Sequence, residues 1–339
     1  IQNTSQIYAG GLRPLIIYNH FFYLMCLYTK YILNPKYQPN RKNGYNPPEL
    51  KDLRLKYVPA RCGRCIECRK EKQREWMVRL SEELKDNNRC YFVTLTFNDN
   101  EYEYLRKKLK IKENPNNEEN NTIATEAVKM YLDLIRWHTG HYPRHWLITE
   151  RGEDFGRIHL HGLMWCSKEM VAKWKFGYWY TGTYVNEVTI RYVTKYMLKM
   201  PEKHKDFIGK VMCSKGIGNQ YTKSPAAKRN RYRENNTIET YKLKSGREIE
   251  LPTYYKNKLY TDEEKEKLWI EKQEKGYRYI CGEKVSTENE EEWDNLTRYY
   301  QERAKRIYKE NPEEWDKAKQ AKRLERMRKY REKMRNTNK

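Results

Sequence analysis

Apolar positions along this chain change period several times, and each change marks a predicted element. Between Glu67 and Leu84, the residues Trp76, Met77, Leu80 and Leu84 share one side among charges, which predicts an amphipathic helix. Cys90–Phe97, C-Y-F-V-T-L-T-F, is β-branched and aromatic, and Asn87, Asn88, Asn98 and Asp99 flank it with turn chemistry. That pattern predicts a strand. Lys112–Thr122 is polar and low in complexity and reads as a loop. Helical spacing returns over Ala124–His138 through Val128, Tyr131, Leu132, Ile135 and Trp137. His145–Glu150 reads as a second strand, Arg151–Arg157 as a Gly-containing turn, and Ile158–Trp165 as a third strand antiparallel to the second. Met170–Trp174 predicts a short helix and Tyr178–Val185 a fourth strand. Glu187–Met200 predicts a helix stopped by Pro201.

This order implies an α+β fold: a central antiparallel sheet with packed helices, as in the ferredoxin-like split βαβ. Around it, Asn34–Val58 is rich in Pro, Asn, Lys and Tyr and reads as irregular surface chain. Cys213–Arg233 is a basic, Gly-containing stretch, either a DNA-contacting loop or a linker. Tyr241–Leu251 predicts a hairpin about Ser245 and Gly246. From Asp262 onward the pattern is charged and helical, ending in a basic segment. The expected organisation is an N-terminal region 25–89, a core 90–200 and a basic C-terminal region 201–339. Residues 1–24 precede the first methionine, Met25, and read as upstream frame or a small extension.

Charge changes the picture. Lys and Arg number 69 against 46 Asp and Glu, a formal charge of +23. Such an excess favours a polyanionic partner, and nucleic acid is the default. Thirty tyrosines and nine tryptophans supply surface for stacking on unpaired bases. Part of the Lys, Asn and Tyr content also fits the codon bias of an AT-rich genome. No apolar run reaches the roughly 18 to 20 residues that span a bilayer, since Leu15–Leu27 is broken by Asn19 and His20. The chain is therefore expected to act without a membrane.

The candidate chemistry centres on Ile158–Trp165, I-H-L-H-G-L-M-W. Alternation in a strand sends His159 and His161 to the same face, ~7 Å apart, within reach of one divalent metal. Glu150 lies across the predicted turn from His159, and its carboxylate would complete a three-ligand site for Mg²⁺ or Mn²⁺. A surface salt bridge with Arg151 or Arg157 is the plainer alternative for that residue. In R-Y-V-T-K-Y-M-L-K, Tyr192 and Tyr196 share one helical face, and Lys195 and Lys199 each follow a tyrosine by three positions. Phenol is a poor nucleophile at its free pKa near 10, and a nearby cation would favour the phenolate. Amphipathic packing is the bland account of the same pattern. Farther upstream, Cys62, Cys65 and Cys68 at triplet spacing can converge on zinc if Gly63 turns the chain. The fourth ligand is not local, and Cys26 or Cys90 could serve only through the fold. A helix start with incidental thiols is the alternative.

These segments together carry a resemblance. T-L-T at Thr94–Thr96, H-L-H at His159–His161 and Y-V-T-K-Y at Tyr192–Tyr196 follow the order of the three motifs of HUH endonucleases, the rolling-circle replication initiators. Within that class the chain resembles the replication initiation proteins of gokushovirus-type microviruses. M-C-L-Y at Met25, N-P-K-Y at Asn34, C-G-R-C-I-E-C, V-T-L-T-F, G-I-G-N at Gly216–Asn219 and L-P-T-Y-Y-K-N-K-L-Y at Leu251–Tyr260 carry the likeness. It spans roughly Met25 to the 270s.

The resemblance implies an HUH core, RRM-like in its split βαβ, that works as a metal-dependent nickase and ligase in the cytoplasm of a bacterial host. Its DNA would be the origin of a phage, single-stranded or in replicative form. His159, His161 and Glu150 would hold the metal. Tyr192 and Tyr196 would be nucleophiles that keep a 5′ phosphate and release a 3′ hydroxyl primer, with Lys195 and Lys199 assisting. No Walker-type phosphate loop is present, so a host helicase and DNA polymerase are expected partners. Two other readings stay open: a tyrosine transposase or relaxase, and a non-enzymatic single-strand-binding or packaging protein.

Overall fold

The computed structural model describes residues 26–153, 156–200, 202–204 and 206–337. The expectations for residues 1–24 and for Pro201 lie outside them. In chain order, β1 (Lys30–Leu33) pairs with β2 (Tyr57–Ala60), and α1 is Ile66–Asp86. The central elements are β3 (Tyr91–Thr96), α2 (Asp99–Lys108), α3 (Asn117–Thr139), β4 (Arg144–Arg151), β5 (Ile158–Trp165), α4 (Lys168–Val171), β6 (Trp179–Gly182), α5 (Glu187–Lys195) and β7 (Val211–Cys213). Beyond them come β8 (Thr240–Lys242), β9 (Glu248–Glu250), α6 (Thr253–Leu259), α7 (Asp262–Gln273), β10 (Tyr277–Ile280), β11 (Glu283–Ser286), α8 (Glu290–Tyr308) and α9 (Pro312–Thr337).

The fold is α+β about a five-stranded antiparallel sheet of order β6-β3-β5-β4-β7. Its first four members follow split βαβ order, because β5 inserts between β3 and β4, the two strands that flank the α2–α3 connection. The second connection is reduced, since α4 has only four residues. Chain beyond residue 200 also joins this sheet. β7 pairs Val211–Cys213 with Ile148–Trp146, and Phe207 enters the core.

Period-2 alternation divides the sheet into two buried faces. Val93, Leu95, Leu147, Leu160 and Met164 meet the α3 stripe of Ala124, Val128, Tyr131 and Ile135. Trp146, Ile148 and Leu163 point the other way, toward Trp76 and Leu80 of α1 and Ile190 and Val193 of α5. Each such aliphatic side chain contributes about 1.5–3 kcal/mol when fully buried. Gly162 permits the β4–β5 approach, because a Cβ there would stand 2.0 Å from the Trp146 carbonyl oxygen. Glu83 of α1 is fully buried and pins that helix to β4, accepting from Arg144 Nε at 2.6 Å and Nη2 at 2.8 Å.

Four expectations need correction. Residues 117–122 are helix rather than loop: Asn116 accepts from the amides of Glu118 and Glu119, and Glu119 bonds back to the Asn116 amide. This capping box starts α3 inside a polar run. Trp137 is 80% exposed, two residues from Ile135 and therefore near the opposite side of the helix. The fourth strand shortens to Trp179–Gly182. The tyrosine helix ends as α-helix at Lys195, and tighter turns such as Met197 N–H to Thr194 O at 3.1 Å carry it on to Lys199. The hairpin about Ser245 and Gly246 is present as β8–β9. No described helix is long and apolar enough to cross a membrane.

Candidate functional site

The β4–β5 register places Glu150 opposite His159 and Ile148 opposite His161, while β3 places Thr96 and Thr94 against the same two histidines. Glu150, His159 and His161 thus share the sheet face that α5 covers. Asn186 starts α5 by accepting from the amides of Val188 and Thr189, and Ile190 and Val193 anchor it to the sheet. Tyr192 and Tyr196 then project from one side of this segment toward the histidines.

The contacts are close. The Tyr196 ring stacks on His161 with centroids 4.0 Å apart and planes 2° apart. Tyr196 donates its hydroxyl hydrogen to the Tyr192 oxygen at 2.7 Å. Phe92 packs edge-on against Tyr192 at 5.7 Å between centroids. His161 Nε2 lies 2.6 Å from Glu150 Oε2, and His161 Nδ1 lies 3.1 Å from the Thr94 hydroxyl. The Lys199 amine is paired with Glu150 Oε1 and stands 3.6 Å from Glu153. His159 is the looser member, its ring centroid 6.5 Å from that of His161.

Electrostatics follow from these neighbours. Burial pushes the Glu150 carboxyl up, but hydrogen bonds from His161 and Lys199 outweigh it and hold the group below the ordinary carboxylate value. Burial, and then the neighbouring His161, hold His159 below the ordinary imidazole value. Burial and the bond given to Tyr192 push the Tyr196 phenol above its usual value. Lys199 spends its charge on Glu150, with its nitrogen 5.9 Å from the Tyr196 ring centroid. Lys195 is exposed, with no acidic partner among the described residues.

As a donor set, two imidazoles and a carboxylate on one face suit a divalent cation in kind. Here His161 Nε2 is bonded to Glu150 Oε2 while Lys199 holds Oε1, so a cation taken by both His161 Nε2 and Glu150 Oε2 replaces the bond between them. Among the described residues, three or more potential metal-ligand atoms lie within 4.8 Å of one another only at Cys26, Cys62, Cys65 and Cys68. This cluster could hold a metal ion, and it resolves the choice of fourth thiol in favour of Cys26. Cys90 lies instead in the core beside Trp76 and Leu80, where burial pushes its thiol up to about 12. Gly63 turns the chain at φ +72°. Sulfur accepts backbone N–H bonds from Cys62 to Cys26 at 3.3 Å, and from Arg64 and Cys65 to Cys62 at 3.4 and 3.2 Å. Such donors steady thiolate charge.

Two site residues carry signals that reading along the chain does not reveal. Thr94 orients His161, yet only the strand register shows that they are neighbours. Arg69 of α1 donates to the carbonyl of Met197, two residues past the end of α5, and nothing local marks it. Comparison with protein-family models, curated proteins and solved structures yields no match, so the meaning of the site rests on its own residues.

Proposed function

We propose that this chain is a metal-dependent endonuclease and strand transferase with an HUH-type core, which initiates rolling-circle replication of a single-stranded DNA phage in its bacterial host. The observation that carries the reading is the stacking of Tyr196 on His161, with Tyr192 hydrogen-bonded beside it and Glu150 behind. One face thus combines two phenols with the donor set for a divalent cation.

In this reading Tyr192 attacks first. It is 50% exposed, and its oxygen accepts the Tyr196 hydrogen bond, so Tyr196 orients the attacking atom. The Tyr192 oxygen loses its proton to solvent and bonds to phosphorus, the bond from phosphorus to the 3′ oxygen breaks, and that oxygen takes a proton from solvent to become the primer hydroxyl. The 5′ phosphate stays on Tyr192, which leaves the Tyr196 hydroxyl for a second cleavage that releases a unit-length strand. His159, His161 and Glu150 would hold Mg²⁺ or Mn²⁺, which when bound polarises the phosphate and stabilises its developing charge. Exposed Lys195 supplies positive charge for the phosphate backbone, and Lys199 does so where it is released from Glu150. Tyr178, Tyr180 and Tyr184, all exposed near this face, suit stacking on unpaired bases. A host helicase and polymerase complete the system.

The four-cysteine cluster is, in the same reading, a zinc site, because four thiolates without an open position match structural zinc.

The test uses the purified chain with Mn²⁺ and labelled single-stranded DNA from its own replicon, resolved on a denaturing gel. The expected result is a protein-linked DNA band that disappears with EDTA and in the Tyr192→Phe/Tyr196→Phe double variant. DNA binding without any covalent band on any segment of the replicon would refute the nickase and leave a single-strand-binding or packaging protein. An adduct on other DNA but never on the replicon would point to a relaxase or transposase.

A further inference from the structure

Arg69 connects the two candidate metal sites. It follows Cys68 directly in the first turn of α1, and its side chain is buried. Its Nε and Nη2 donate to the Met197 carbonyl at 3.0 and 2.9 Å, and Nη2 also reaches the Lys199 carbonyl at 3.5 Å. Those carbonyls belong to the turn that carries Tyr196 and Lys199 into the site. Carbonyls at a helix end lack intrahelical donors, and a guanidinium supplies both hydrogen bonds and a favourable charge there.

The first turn of α1 is itself held by the cysteine cluster. Cys65 is its N-cap and Cys68 lies in it, and Cys62 and Cys26 close on it from the preceding chain. Leu198 packs against the same cluster, and Glu310 accepts from the Ile66 amide at 2.6 Å. The Cys62 and Cys68 sulfurs stand 3.9 Å apart. A metal bound at about 2.3 Å from each sulfur would draw all four to one centre and release their protons.

We infer that this cluster positions the tyrosine segment: its metal holds the first turn of α1, and Arg69 carries that order to the Met197 and Lys199 carbonyls. The inference rests on the zinc reading of the cluster, and Arg69 is a positioning residue rather than a catalytic one. The backbone bearing Tyr196 and Lys199 is thereby kept in register with His161 and Glu150.

The experiment is hydrogen–deuterium exchange on the full chain in three forms: as purified with its zinc counted, stripped of zinc, and as Arg69→Met with zinc retained. Amides in 196–200 should exchange about tenfold faster in the last two forms, while Ile158–Trp165 stays protected. Arg69→Lys, which keeps a donor for one carbonyl, should recover part of the protection. In the adduct assay, Arg69→Met should lower the single-turnover rate about tenfold or more while leaving DNA affinity within about twofold.

Unchanged exchange at 196–200 in Arg69→Met with a full zinc complement overturns the inference, even if zinc removal unfolds the chain. A native preparation that neither contains nor takes up zinc overturns the metal reading beneath it. Absence of a tyrosine adduct in the wild-type chain counts against the nickase alone, because the exchange result does not depend on catalysis.

Discussion

Replacing Glu150 with glutamine separates the electrostatic from the steric role of the group that joins the histidines to Lys199. The carboxylate is buried and accepts from His161 Nε2 at 2.6 Å as well as from the Lys199 amine. A hydrogen bond to a charged group contributes about 1.5–3 kcal/mol, and a neutral amide oxygen facing His161 retains about 0.5–1.5 kcal/mol of it. The Lys199 side chain is 35% exposed, so once released it regains water, and its share is about 0–1 kcal/mol. Glu150→Gln should therefore destabilise the fold by about 1–2.5 kcal/mol at pH 7.

The pH dependence has a definite sign. The native Glu150 carboxyl lies below its ordinary value, so its contribution is complete above the unfolded value of about 4.3 and is lost as pH falls through the lower native one. Urea unfolding followed by tryptophan fluorescence should show a constant gap between wild type and variant from pH 7 down to about 5.5, closing below about 4. Mn²⁺ should raise the wild-type midpoint and not that of the variant. A gap of equal size at low pH, or equal Mn²⁺ protection of both proteins, would refute the reasoning.

Three further outcomes are expected. Tyr192→Phe should reduce the first covalent adduct at least about 100-fold, whereas Tyr196→Phe should still form it and fail at strand transfer; the reverse pattern on denaturing gels would exchange their roles. Thr94→Val removes the hydroxyl facing His161 Nδ1 and should weaken metal binding about 10–100-fold by calorimetry, with unchanged affinity counting against Thr94 as the orienting group. Gly162→Ala puts a methyl 2.0 Å from the Trp146 carbonyl oxygen and should cost about 1–3 kcal/mol or more in urea unfolding, so a neutral result would show that β4 and β5 can part without penalty.

Several features of the site are legible without the fold because they depend on covalent geometry and local period alone. The strand Ile158–Trp165 begins and ends where its apolar run does, and alternation alone puts His159 and His161 on one face. The short turn after Glu150 makes a hairpin, so the His159–Glu150 pairing follows from loop length. Four-residue spacing brings Tyr192 and Tyr196 together. Triplet spacing marks Cys62, Cys65 and Cys68.

What needed tertiary structure involves distant partners or choices between local equals. Cys26 rather than Cys90 completes the thiol cluster, because β3 buries Cys90 in the core while the chain before β1 returns to the start of α1. Lys199 rather than Lys195 meets Glu150, because tightened turns after Lys195 redirect the chain, and spacing on a regular helix does not encode that. β7 is three residues long, too short to show alternation, and becomes a strand only because β4 offers a free edge. Thr94 and Arg69 acquire their roles from register and packing across the sheet. Backbone period is a property of neighbouring residues, whereas a site depends on which surfaces the core forces together.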